Sequence, residues 1–152
     1  MAIRKMPPLE KVYEAYSAIA DDRIVIGKES AAVLSSDYSK KYLVTWQDGV
    51  YTSNDSASYW QGYSGYPMIA VLMLQGKLPL EWAIAGHFKG INWKKLNAEH
   101  KANYVEAVAV ILDDLRQNGV DCDVVNAEVE KVYEKLKTLD IKCKRSSVRP
   151  PR

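Results

Sequence analysis

Residues 42–74, YLVTWQDGVYTSNDSASYWQGYSGYPMIAVLML, constrain the fold of this chain more than any other segment. Lys41 to Gln47 alternates: Tyr42, Val44 and Trp46 fall on one face of a strand, Leu43, Thr45 and Gln47 on the other. Asp48-Gly49 follows. A two-residue type I′ turn needs positive φ at both central positions, and Asp-Gly is among the pairs that supply it at low cost. The predicted register sets Trp46 opposite Tyr51 and Val44 opposite Ser53. Cross-strand partners share a face, so Tyr42, Val44, Trp46, Tyr51 and Ser53 lie together. The stretch NDSASYWQGYSGY has no consistent period and reads as a loop with at most one helical turn. Pro67 then opens a helix, MIAVLMLQ, that Gly76 closes. A helix apolar on every side is buried, and this one is expected to pack on the Trp46/Tyr51 face of the sheet.

The flanks complete an α+β pattern. Leu9, Val12, Tyr13, Tyr16 and Ile19 recur at helical spacing and predict a helix over 8–20, broken by Asp21 and Asp22. Arg23 to Ile26 and Ala31 to Ser35 read as short strands around a turn at Gly27. Beyond Gly76 the chain reads as helical. A short helix over 79–85 ends at Gly86, and Asn92 caps the next. Apolar positions from Trp93 to Leu115 belong to one long helix or to two with a break near Asn97. Asp121 or Asp123 caps the last helix, whose stripe is Val125, Val129, Val132, Leu136 and Leu139. The short loop at Gly119 makes the final two helices an antiparallel pair. Trp46, Tyr51, Ile69, Leu72 and Ile111 are the expected core.

A length of 152 residues suits one domain. It is assigned to 1–141, with 142–152 as a basic tail. Five of the 21 Lys and Arg lie in that tail, which has no acid, two prolines and little to bury. It is expected to be disordered. The rest of the chain carries an excess of acid, so its overall charge does not point to nucleic acid. The longest apolar run, 68–74, is far short of the ~20 residues that span a bilayer. MAIRKMPPLE lacks the apolar stretch of a secretory leader. A cytoplasmic protein without membrane contact is expected. Cys122 and Cys143 flank the last predicted helix, which would hold them roughly 30 Å apart. A disulfide needs Cα atoms within ~7 Å, so two inert free thiols are expected.

The hairpin, loop and apolar helix resemble the SWIM domain, a ββα zinc module with a CxC…CxH pattern. The resemblance places Tyr51 and Ser53 at the CxC, and Tyr66 and Met68 at the CxH. Ile69-Ala70-Val71-Leu72 matches the helix that follows the histidine, and Asp55 matches an acid after the CxC. All four metal ligands of the family are replaced. Structural zinc needs four Cys/His-type ligands in a tetrahedron, so no metal or other cofactor is expected. Packing of Tyr51, Trp60 and Tyr66 with Met68 would stand in for the ion.

No nucleophile elbow, phosphate loop, dinucleotide fingerprint or HExxH is present. A non-catalytic binding or interaction protein is the leading expectation. The chain has ten Tyr and four Trp but one Phe. Tyr and Trp carry a polar atom that must be satisfied, so they favour interfaces. Tyr59, Trp60, Tyr63 and Tyr66, spaced by Gly62 and Gly65, are the candidate contact surface, or else a loop that seals the core. A protein partner is expected ahead of nucleic acid. The alternative is a nucleic-acid contact through Trp93, Lys94, Lys95 and Lys101 with Lys144, Arg145 and Arg149 of the tail. A small enzyme assembled from scattered residues is the third reading. The sequence carries no signal for an oligomeric state.

Overall fold

The computed structural model describes residues 5–101 and 103–152. The first four residues of the segment tested as a leader therefore lie outside the described residues. The element order is α1 (Lys11–Ala20), β1 (Ile24–Ile26), β2 (Ser30–Leu34), β3 (Lys41–Gln47), β4 (Val50–Ser53), a π-helical turn (Ala57–Gln61), α2 (Tyr66–Leu74), α3 (Trp82–Gly86), α4 (Trp93–Glu99), α5 (Tyr104–Gln117), α6 (Cys122–Thr138) and β5 (Lys142–Cys143). This is the expected α+β class, with a terminal pair of long helices.

The sheet runs β1-β2-β3-β4-β5. Its first four strands form an antiparallel meander. The predicted register holds: Trp46 pairs with Tyr51 and Val44 with Ser53. Asp48 and Gly49 take φ values of 51° and 78°, as the type I′ turn requires. Trp46 and Tyr51 stack with ring centroids 6.1 Å apart.

Helix α2 lies at the centre. Met68, Ile69, Ala70, Val71, Leu72 and Met73 are all buried, and the helix packs against α1 and against β3 and β4. Each large apolar side chain here contributes about 1.5–3 kcal/mol relative to exposure. The helix stops where Gly76 turns left-handed and its N–H donates to the Met73 carbonyl. α1 is tied to the C-terminal layer: the Tyr13 hydroxyl donates to Asn126 at 2.7 Å, and the Tyr133 hydroxyl of α6 donates to the Pro7 carbonyl at 2.7 Å. Asn92 and Asp121 cap α4 and α6 by accepting backbone N–H groups.

Five details differ from the sequence reading. Asn97 lies within α4, and α4 and α5 part after Glu99 rather than near Asn97. α1 begins at Lys11 rather than residue 8, because Pro8 and Leu9 form a tighter turn that bonds to Lys11 and Val12. α3 begins at Trp82 rather than residue 79, after Glu81 in extended conformation. Trp46 and Ile111 are half-buried rather than core, each at the edge of the apolar cluster. The segment 142–152, expected to be disordered, runs back along the sheet. Lys142 and Cys143 pair in parallel with Val50 and Tyr51, Ser146 is buried, and the Asn54 amide donates to the Arg149 carbonyl at 3.1 Å. The open edge of β4 offers backbone partners that composition does not register.

Candidate functional site

Helix α1 is buried from Lys11 to Ile19, including Lys11 and Glu14. These two face a cavity of about 560 Å³ bounded by α1, the segment before β1, the turn after β2, the 55–66 loop and the α4–α5 region. Lys11 Nζ lies 3.3 Å from Glu14 Oε2. The Asn97 amide of α4 reaches Glu14 Oε1 at 3.5 Å, while Asn97 Oδ1 is buried without a partner. Burial pushes the Glu14 carboxyl up, against the opposing pull of Lys11 and Asn97. For Lys11 burial acts downward, but Glu14, Tyr104 and Tyr63 outweigh it and the ammonium ends above its ordinary value. Lys11 Nζ also sits 4.2 Å from the centre of the Tyr104 ring.

Arg23 is the second buried cation, 1% exposed. Its Nη1 donates to the Leu34 carbonyl at 2.8 Å and its Nε to Asp21 at 3.3 Å. Its Nη2 has no hydrogen-bond partner. The guanidinium carbon lies 5.9 Å from the centre of the Tyr66 ring. Burial raises the Tyr66 phenol; the Arg23 charge and its N–H groups near the hydroxyl pull the other way, though no N–H of Arg23 reaches Tyr66 in hydrogen-bond geometry. Tyr66 in turn meets Tyr42 edge-on at 6.4 Å.

Asp55 is the second buried acid on the wall. It accepts from the Ser53 hydroxyl and, at 3.1 Å, from the Ser58 N–H. This ties the end of β4 to the π-helical turn, and single π turns recur at functional sites. Gly65 is required here by contact rather than by φ. A Cβ at that position would stand 2.1 Å from Asp55 Oδ2. The Gly65 N–H donates to the Ser58 hydroxyl at 2.9 Å, closing the loop on itself.

The two surfaces proposed from sequence meet in this cavity. Trp60, Tyr63 and Tyr66 come from the aromatic loop, and Trp93 and Lys94 from the lysine patch. Tyr66 and Tyr63 are half-buried and Trp60 is 64% exposed. Tyr59 lies apart from the cavity wall, edge-on to Trp60 at 4.7 Å and under the Arg145 guanidinium. Trp93 is 3% exposed, its indole N–H bonded to Ser17 at 2.6 Å, so it is core and cavity wall rather than an exposed stacking platform. Lys94 pairs with Asp37 at 3.4 Å. Lys95 is exposed and reaches Glu99, and Lys101 is exposed with a left-handed φ of 53°. Lys144, Arg145 and Arg149 are exposed on the returning C-terminal segment. The basic residues therefore do not gather into one stripe on one element. Lys11, Glu14, Arg23 and Asn97, the polar groups of the cavity, were not among the sequence candidates.

The positions that the SWIM resemblance assigns to metal do not fit zinc. Tyr51 donates its hydroxyl to Gln75 at 2.6 Å, Ser53 is bonded to Asp55, and Met68 Sδ accepts from the Cys143 thiol at 3.7 Å. Tyr51, Tyr66 and Trp60 pair with Trp46, Tyr42 and Tyr59 rather than with one another. Among the described residues, no three His, Cys, Asp or Glu side chains are grouped to hold an ion. Both cysteines are free. Burial raises the Cys143 thiol, with Ser64 opposing it, and a raised thiol is poorly nucleophilic. Among the described residues, no helix is long and apolar enough to cross a membrane.

The chain belongs to the family described as Uncharacterised conserved protein UCP014422, whose model matches residues 4–142. No curated protein and no solved structure matches it. The family match covers α1, the four-stranded meander and all the helices, and so includes every wall of the cavity.

Proposed function

We propose that this chain is a non-catalytic binding protein whose cavity takes a small polar molecule, with the Tyr/Trp loop as one wall of the site. The observation that carries this reading is Arg23. A guanidinium 1% exposed, whose Nη2 is buried without a hydrogen-bond partner on a residue that lines the cavity, is expensive to keep. A buried polar group left unpaired costs about 1–3 kcal/mol, and more when it is charged. Packing needs alone would favour an apolar residue there. The cavity volume falls within the ~300–1,000 Å³ usual for small-molecule sites. A small molecule takes precedence over the protein partner expected from sequence, because Tyr63 and Tyr66 line a concavity rather than a flat patch.

A thermal-shift panel of polar metabolites tests this reading. It is run on the wild type and on Ala57→Trp, which places bulk at the half-buried cavity wall. Ligands should raise the Tm of the wild type and leave the filled variant unmoved, with far-UV circular dichroism showing both folded. A panel that moves neither protein, or both alike, removes the reading.

A further inference from the structure

We infer that the ligand of this cavity is an anion carried on a flat ring, its acid group on Arg23 and its ring against Tyr63 and Trp60. The inference rests on the small-molecule reading and names the class of that molecule. It follows from which buried charges are already served. Both acids of the wall have donors: Glu14 has Lys11 and Asn97, and Asp55 has Ser53 and Ser58. The unserved charged group is positive, Arg23 Nη2. Arg presents its N–H groups in a planar fork suited to carboxylate and phosphate oxygens.

A cationic ligand in an aromatic cage is the main competitor, and the structure argues against it. The protein's own cations already stand against four of the rings: Lys11 over Tyr104, Arg23 near Tyr66, Lys5 near Tyr63 and Arg145 near Trp60. A second cation would meet two buried positive charges at short range, where repulsion is poorly screened. An anion meets attraction from both, and the wall's two carboxylates, Glu14 and Asp55, are offset by the donors they already hold. Tyr63 and Trp60 are the two rings whose cations, Lys5 and Arg145, are not part of the cavity lining, and they pack the uncharged body. Trp60 is exposed enough for its ring to stack on a guest.

Carboxylate and phosphate share this chemistry, and paired probes separate them. Isothermal titration of the full chain is done with 4-hydroxybenzoate against 4-hydroxybenzamide, and with uridine monophosphate against uridine. In at least one pair the acid should bind tenfold or more tightly than its neutral partner. The pair that does so identifies the acid. Arg23→Gln should bring the acid down to its neutral partner's affinity and leave that partner unchanged. If Arg23→Gln does not fold, the acid-to-neutral contrast on the wild type decides without it. Neutral partners that bind as tightly as the acids overturn the anionic class and leave the small-molecule reading standing. Silence from all four probes also overturns it. The small-molecule reading is then judged on the metabolite panel and Ala57→Trp.

Discussion

Helix α1 has two faces that are equally buried and chemically unlike. Val12, Ala15, Tyr16 and Ile19 belong to the apolar core, and Phe88 lies stacked on Tyr16 and edge-on to Tyr13. Lys11 and Glu14 are within 7% of full burial, yet they face the cavity. The apolar face gains free energy by leaving water. The polar face must replace hydration with Glu14, Asn97 and the tyrosine rings, and an ion pair in such a setting seldom repays its desolvation. Burial alone therefore does not identify the residues that hold the fold. One face explains why the domain is stable, and the other asks for a reason beyond stability.

The largest effect separates the faces directly. Val12→Asp puts a charge into the apolar core cluster at a site with no exposure. The cost is several kcal/mol or more, a large share of the ~5–15 kcal/mol that stabilises a domain. No cooperative thermal transition should remain by circular dichroism. A normal melt would mean that this face is not the one that holds α1.

On the polar face a single loss should hurt and a joint replacement should not. Lys11→Met leaves Glu14 buried without its ion-pair partner and should cost about 3–5 kcal/mol in urea unfolding. Lys11→Met with Glu14→Leu removes both charges and keeps the volume. Its stability should return to that of the wild type or exceed it. If the double variant stays as weak as the single one, the pair supports the fold and the contrast between the faces fails.

How much of this could be read in advance divides along the same line. The Asp48-Gly49 turn, the Trp46–Tyr51 register, the all-apolar α2 and the Asn92 cap were legible, because each follows from local chemistry within a few residues. The C-terminal segment was not, because its strand depends on the free edge of β4. The cavity was not either. Lys and Glu three apart on a helix ordinarily read as a solvated pair, and only the 55–66 loop, α4 and α5 close over them. One signal was present. Within KVYEAYSAIA the polar residues other than tyrosine and its hydroxyl are Lys11, Glu14 and Ser17, a stripe too narrow for the exposed face of a surface helix. Arg23 gave no such sign, since a basic residue before an edge strand is commonplace.

Acidity offers a finer test of the polar face. Glu14 takes up its proton more readily in the folded chain than in the unfolded one, because burial penalises its charge. From its ordinary value of 4.5 up to its raised value, the native state therefore holds the extra proton. Stability falls as pH rises through that window. Lys11, held above its ordinary 10.5, titrates far outside it. Urea midpoints followed upward from about pH 4.5 should show this fall in the wild type and lose it in Glu14→Gln. Identical slopes in the two proteins would place the carboxylate in water.

The smallest stability effect belongs to the loop that bridges the two proposed surfaces. Trp60 is 64% exposed, and its contacts are Tyr59 edge-on and the Arg145 guanidinium 5.8 Å away. Trp60→Ala should change the unfolding free energy by no more than about 0.5 kcal/mol, as at other surface sites. Binding should respond quite differently. If the ring closes on a guest, the same substitution should weaken an acid probe several-fold by titration calorimetry and leave the acid-to-neutral ratio intact, since that ratio depends on Arg23. The two numbers together locate Trp60. A large loss of stability would make the loop a seal on the core. Unchanged stability with unchanged affinity would leave it outside the site, and its exposed indole would then serve a surface contact beside Tyr59 and Arg145.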